Sequence, residues 1–145
     1  YAKEMNNQKN SCPSDEELGQ ILKNAGLSIT SPRLSLCRYI LFNSKHPSIE
    51  SVKDWAHKTK LKVSRATIYN TINALSEANL VKDLRFPQID NVCYDNNVAH
   101  HHHFLDQRNG KIYDIDPQEF EVHSKLSSKF EVDGVDILIR GRIKK

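Results

Sequence analysis

Cysteine is scarce in this chain of 145 residues: Cys12, Cys37 and Cys93 are the only three, far apart and without C-x-x-C spacing. An odd, scattered set excludes a disulfide framework or a thiolate zinc clip as the organising feature, and a reducing cytoplasm is the expected compartment. Long apolar runs are missing as well. The longest informative one, Tyr39-Ile40-Leu41-Phe42, is far shorter than the roughly 18 residues a transmembrane helix needs, so no membrane association is expected. The first twenty residues are polar and contain no apolar h-region, so no secretory leader is expected. There is no Gly-rich phosphate loop, no H-E-x-x-H, no internal repeat and no low-complexity tract.

What remains is an ordinary composition, 38% apolar and 27% charged, which suits one domain or two small lobes. The net charge of +3 is small, but it is unevenly spread. Residues 1–90 carry 13 basic and 9 acidic side chains, and residues 91–145 carry 8 and 9. Within residues 45–65, six basic side chains (Lys45, Lys53, Lys58, Lys60, Lys62, Arg65) face two acidic ones (Glu50, Asp54). A basic helical stretch suits a polyanion such as DNA; a solvated surface face is the plainer alternative. Four of the seven histidines stand together at 100–103.

Residues 1–13 show no pattern and are expected to form a disordered lead. Ser14-x-x-Glu17 is a capping box, followed by Leu18, Ile21, Leu22 and Ala25 at helical spacing and by Gly26 as a left-handed stop. A second helix is predicted with Ser31 as cap, Pro32 in its first turn and a stripe of Leu34, Cys37, Ile40 and Leu41. It must break before Pro47. Ser48 caps a third helix with Ile49, Val52, Trp55 and Ala56 inward, and Ser64 caps a fourth, with Ile68, Ile72 and Leu75, that ends near Asn79. Two short strands follow, predicted over 80–86 and 92–95. Residues 14–96 thus read as helices followed by a two-stranded ribbon, the pattern of a winged helix-turn-helix. The helix opening at Arg65 is the candidate reader, with Thr67, Tyr69, Asn70 and Asn73 on its polar face. A plain helical lobe, or a winged helix that binds protein, has the same pattern.

Residues 100–145 change character. A strand is predicted over 100–105, a two-residue turn at Asn109-Gly110, a returning strand over 111–115, a helix from Pro117 to about Lys129 and a last strand through Val135, Ile137 and Ile139. So small a sheet cannot cover both its faces, and a second copy of the chain is the natural cover. The fold class expected is α+β: an N-terminal winged helix-turn-helix domain plus a small C-terminal α/β dimerisation domain. Strand alternation puts His101 and His103 on one face. With a two-residue turn, Leu105 lies opposite Asp114 and His103 opposite Asp116, which leaves Asp114 diagonal to His103 on the same face. Asp95 can add another oxygen. Two imidazoles and two carboxylates suit Fe(II), Mn(II) or Zn(II); a solvated histidine-rich edge is the alternative.

Several stretches together resemble the ferric uptake regulator family of metal-responsive repressors. They are Gly26-Leu27-Ser28-Ile29-Thr30-Ser31-Pro32-Arg33, the recognition-helix stretch Ser64-Arg65-Ala66-Thr67-Ile68-Tyr69-Asn70-Thr71-Ile72, and Tyr94-Asp95, His101-x-His103 and Gly110-Lys111-Ile112-Tyr113-Asp114 in order. The resemblance spans about Leu18 to Ile139. It implies a homodimer on a double-stranded DNA operator, with contacts from Arg33, Ser64, Arg65, Thr67, Tyr69 and Asn70. It brings His46, just before Pro47, to the metal set, which becomes His46, Asp95, His101, His103 and Asp114. An aspartate at Asp114, where the iron-uptake branch has glutamate, is most similar to the peroxide-sensing branch. That branch implies Fe(II) or Mn(II) at the site, with Zn(II) as an in vitro substitute. It also implies peroxide sensing through Fe(II)-catalysed oxidation of His46 or His101. His57, His100, His102 and His123 are left as non-ligands.

The chain departs from the family at its structural zinc. The hairpin cysteine pair is replaced by Asp106 and Asn109, and the tail from Arg140 to Lys145 has no cysteine, so no structural zinc is expected. Apolar packing of Phe130, Val135, Ile137 and Ile139 then has to hold the dimer lobe. Two rival functions share these residues. One is a repressor of the same fold that responds to iron or manganese supply. The other is a metallohydrolase, for which no separate general base or catalytic motif is present; an enzyme is not expected.

Overall fold

Residues 14–87 and 89–144 are described by the structure, a computed structural model, and the lead at 1–13 lies outside them. The chain divides between Ala99 and His100 into two compact units.

In the first unit, α1 (Asp15–Asn24) opens with the capping box: Glu17 N donates to Ser14 Oγ at 3.2 Å and Ser14 N to the Glu17 carboxylate at 2.7 Å. The backbone and hydroxyl of Ser14 hold the Glu17 carboxyl below its usual range. Gly26, at φ +74°, turns the chain so that Leu27 N donates to Leu22 O at 2.9 Å. The cap of α2 (Ser31–Arg38) is Thr30, not Ser31: Thr30 is extended, its hydroxyl accepts from Arg33 N at 3.4 Å, and Ser31 is already helical.

α2 then widens into one π-helical turn, Tyr39–Asn43, and Tyr39 stacks on Trp55 with ring centroids 4.2 Å apart. α3 (Ile49–Lys58) and α4 (Arg65–Glu77) start at Ser48 and Ser64 as expected, each hydroxyl accepting from the amide three residues on. The wing is β1 (Lys82–Leu84) antiparallel to β2 (Cys93–Asp95), shorter than the sequence suggests, with Lys82 opposite Asp95. Leu18, Leu22, Leu36, Ile40, Ile72 and Leu75 are fully buried and form the heart of one core. Burial of each is worth about 1.5–3 kcal/mol. Cys37 belongs to this core, and burial pushes its thiol up to about 12.

The second unit is a three-stranded sheet in the order β4-β3-β5: β3 (His102–Asp106), β4 (Ile112–Ile115) antiparallel to it, and β5 (Leu138–Gly141) parallel to it. Gly141 lets β5 lie close to β3, since a Cβ there would stand 3.1 Å from the Phe104 ring.

Three expectations need correction. The hairpin loop spans residues 107–110, because Asp106 N donates to Lys111 O at 2.9 Å. Asp106 and Asn109 each accept, through Oδ1, the amide two residues on, and these two local turns widen the loop. His103 therefore lies directly opposite Asp114, and Leu105 opposite Ile112. Next, the helix expected from Pro117 to Lys129 is a single 3-10 turn, Pro117–Glu119, and residues 120–137 contain no regular element. A short amphipathic helix draws its stability from the surface it packs on, and here Phe120, Leu126 and Phe130 are exposed. Finally, the last strand begins at Leu138, so of Val135, Ile137 and Ile139 only Ile139 lies within it. Among the described residues no helix is long and apolar enough to cross a membrane.

Candidate metal centre and nucleic-acid interface

The first unit holds two of the five expected ligands. Past the π-helical turn the chain reaches His46 at φ +48°, a left-handed conformation uncommon for a residue with a Cβ. It is followed by the fully buried Pro47. Pro47 O accepts from Tyr94 N at 2.8 Å, and Ser48 bridges to Cys93, so the His46 loop is bound along β2. His46 Nε2 stands 4.0 Å from Asp95 Oδ2, with both side chains nearly sealed from solvent. The other Asp95 oxygen accepts from Asn97 N at 2.8 Å, which fixes the carboxylate's orientation. Cys93, beside this pair in sequence, is half-buried, and burial raises its thiol pKa.

The second unit holds the other three. His101 and His103 project from one face, ring centroids 4.5 Å apart. Asp114, opposite His103 on β4, sends Oδ1 to 3.4 Å from His101 Nε2 and 4.0 Å from His103 Nε2. The alternation inferred from sequence thus holds for this trio, with Asp114 facing His103 rather than diagonal to it. His100 and His102 stand edge to face with centroids 5.2 Å apart. His123 is exposed beside Glu121.

The candidate DNA residues are spread over several elements. On α4, Arg65, Tyr69 and Asn70 are exposed, and Tyr69 keeps about half of its surface in solvent (51%). Ser64 and Thr67 are partly committed to structure: the Ser64 hydroxyl caps α4 and lies 3.0 Å from Thr67 Oγ1. Arg65 Nη1 pairs with Glu50 Oε1 of α3 at 2.5 Å, a contact the sequence reading did not foresee. Arg33 is folded back on Ser28, donating from Nη1 to the carbonyl at 3.3 Å and to the hydroxyl. An open groove of about 240 Å³ brings Arg65 and Tyr69 together with Arg85 of the wing, a residue the sequence reading passed over. Its basic charge within the strand predicted over 80–86 was the available signal. Tyr94 also lines the groove, and burial followed by the nearby Asp83 carboxylate raises its phenol.

The sequence pattern of the ferric uptake regulator family matches residues 24–139, most of the chain. The chain belongs to the ferric uptake regulator family. Among curated proteins, this family member is 31% identical over 108 residues to the peroxide-responsive repressor PerR of Staphylococcus epidermidis, covering 74% of this chain and 71% of that protein. Among solved structures it is similar to the Vibrio cholerae ferric uptake regulator, with a TM-score of 0.65 at 19% identity, covering 86% of this chain and 98% of that one. A zinc-bound manganese uptake regulator gives a TM-score of 0.66 at 18% identity, covering 88% and 98%. At such identities the structural likeness establishes the fold alone, the α+β fold of the ferric uptake regulators.

Proposed function

We propose that this family member is a metal-dependent, homodimeric transcriptional repressor that binds a double-stranded DNA operator and senses peroxide. The observation that carries the reading is that each unit brings imidazole and carboxylate together, His101 and His103 converging on Asp114 in the second and His46 facing Asp95 in the first. Together the five side chains offer three imidazole nitrogens and two carboxylate oxygens. A donor set of nitrogen and oxygen without thiolate fits Fe(II), Mn(II) or Zn(II).

In this reading one divalent ion takes ligands from both units, and the energy of closing around it becomes affinity for DNA through linkage. Bound there, Fe(II) would supply the one-electron chemistry that lets hydrogen peroxide, the two-electron oxidant, leave one oxygen atom on a neighbouring imidazole and the other as water, whereas Mn(II) would supply coordination alone. His46 and His101 are the candidate oxidation sites, and an oxidised imidazole loses its ability to hold the unit in place. Arg65, Tyr69 and Asn70 on α4 read the operator, Arg33, Ser64 and Thr67 support them, and Arg85 neutralises phosphate from the wing. Phosphate has to draw Arg65 away from Glu50. The exposed apolar residues of the second unit face a second copy of the chain. As proposed, the chain holds no structural zinc, works in the cytoplasm and catalyses no turnover of its own.

A metal-supply repressor of iron or manganese is the second reading, favoured by the same mixed nitrogen and oxygen donor set. Anaerobic DNA binding with Fe(II), with Mn(II) or with chelator, before and after a small dose of peroxide, separates the two. The proposal expects metal-dependent binding that peroxide abolishes in the iron form alone. Binding that peroxide leaves intact in both forms identifies a metal-supply repressor, and binding indifferent to chelator overturns control by the five-residue site.

A further inference from the structure

Asn96 belongs to none of the motifs above, yet its side chain makes two long-range hydrogen bonds within the first unit. Its amide nitrogen donates to Ile40 O at 2.9 Å and to Ser44 O at 2.7 Å, across 56 and 52 residues of sequence. A helix cannot satisfy its own last four carbonyls, and Ile40 is among those of the π-helical turn Tyr39–Asn43. One hydrogen of the side-chain amide meets that need, and the other holds the carbonyl of Ser44, the residue that caps the turn. On the other side of His46, Tyr94 N donates to Pro47 O at 2.8 Å. The residues flanking Asp95 therefore grip the residues flanking His46. The left-handed backbone of His46 is held between these two attachments, with its ring facing the Asp95 carboxylate at 4.0 Å.

We propose that Asn96 is a positioning residue for the metal site, holding the Ile40 and Ser44 carbonyls so that His46 faces Asp95 before an ion arrives. The inference rests on the metal-site reading above. A ligand already in place loses little freedom when the ion binds, and removing the group that holds it lowers affinity without removing a donor atom. Only an amide or similar double donor serves here, because both partners are carbonyl oxygens.

The test is a Co(II) titration of the full chain, followed by the visible absorption of the bound ion, at a temperature well below unfolding. Asn96→Leu and Asn96→Ala should weaken Co(II) binding by about 10–100-fold, the range typical for residues that orient metal ligands. At saturation their spectra should shift toward that of His46→Ala, and Asn96→Gln, which keeps both donors, should restore part of the affinity. Thr71→Val removes a comparable buried bond, Thr71 Oγ1 to Thr67 O at 2.7 Å, elsewhere in the same unit, and should leave Co(II) affinity unchanged. Wild-type affinity and spectrum in both Asn96→Leu and Asn96→Ala overturn the inference, as does an equal loss in Thr71→Val. If His46→Ala itself binds Co(II) like the wild type, the metal-site reading fails, whatever the Asn96 variants do.

Discussion

In the first unit Leu18, Leu22, Leu36, Ile40, Ile72 and Leu75 have no exposed surface, whereas in the second Phe120, Val122, Leu126, Phe130, Val132 and Val135 remain 40–62% exposed. Both stretches supply apolar side chains at regular intervals. The difference lies in what each unit can place against them. The four helices α1–α4 turn their stripes toward one another and close a core within the unit. A three-stranded sheet with one 3-10 turn has no second layer of its own, so the same kind of residue stays in solvent. Apolar spacing therefore shows which residues seek burial; whether they find it depends on the layers available.

The sharpest way to break this comparison is a cavity in the closed core. Ile72→Ala should cost about 2–5 kcal/mol, read as a lower urea midpoint at unchanged slope, because a fully buried side chain leaves a hole its neighbours fill only partly. A loss below about 1 kcal/mol would mean that the first unit is no better packed than the second. Leu126→Ser and Phe130→Ser test the other side. They should barely move the urea midpoint but weaken self-association by roughly tenfold or more, seen as a shift toward monomer in sedimentation at fixed concentration, since each such side chain is worth about 1.5–3 kcal/mol when covered. Unchanged association in both would remove a second copy as the cover. The smallest effect belongs to the cap of α1. Ser14→Ala should cost about 1 kcal/mol. Glu17, held low in the folded chain, stabilises it above the unfolded carboxyl pKa, and that contribution is lost as pH falls through the lower folded value. In Ser14→Ala the Glu17 carboxyl should titrate closer to its ordinary value by NMR, and the acid limb of the stability curve should flatten.

Much of the first unit is legible in its residues because its decisive interactions are local. Ser14, Ser48 and Ser64 each bond an amide three residues away, and the stripes of α1, α3 and α4 follow from 3.6 residues per turn. Even here Thr30 displaces Ser31 as a cap, since two adjacent hydroxyl residues compete and backbone conformation chooses between them. In the second unit the face shared by His101, His103 and Asp114 follows from strand alternation. Their register did not, because the Asp106 and Asn109 side chains widen the loop by two residues on the facing pair. His46 carries no local mark of the role proposed for it; only likeness to the family singles it out.

The sequence by itself determined the helix caps, the apolar stripes and the side of β3 on which two histidines meet an aspartate, because these depend on chain geometry over a few residues. The tertiary structure alone decided that Asn96 reaches back across more than 50 residues to the π-helical turn, that Arg65 meets Glu50, and that residues 120–137 form no helix. Such outcomes depend on which surfaces the fold brings together and which it leaves uncovered, and no local pattern encodes that.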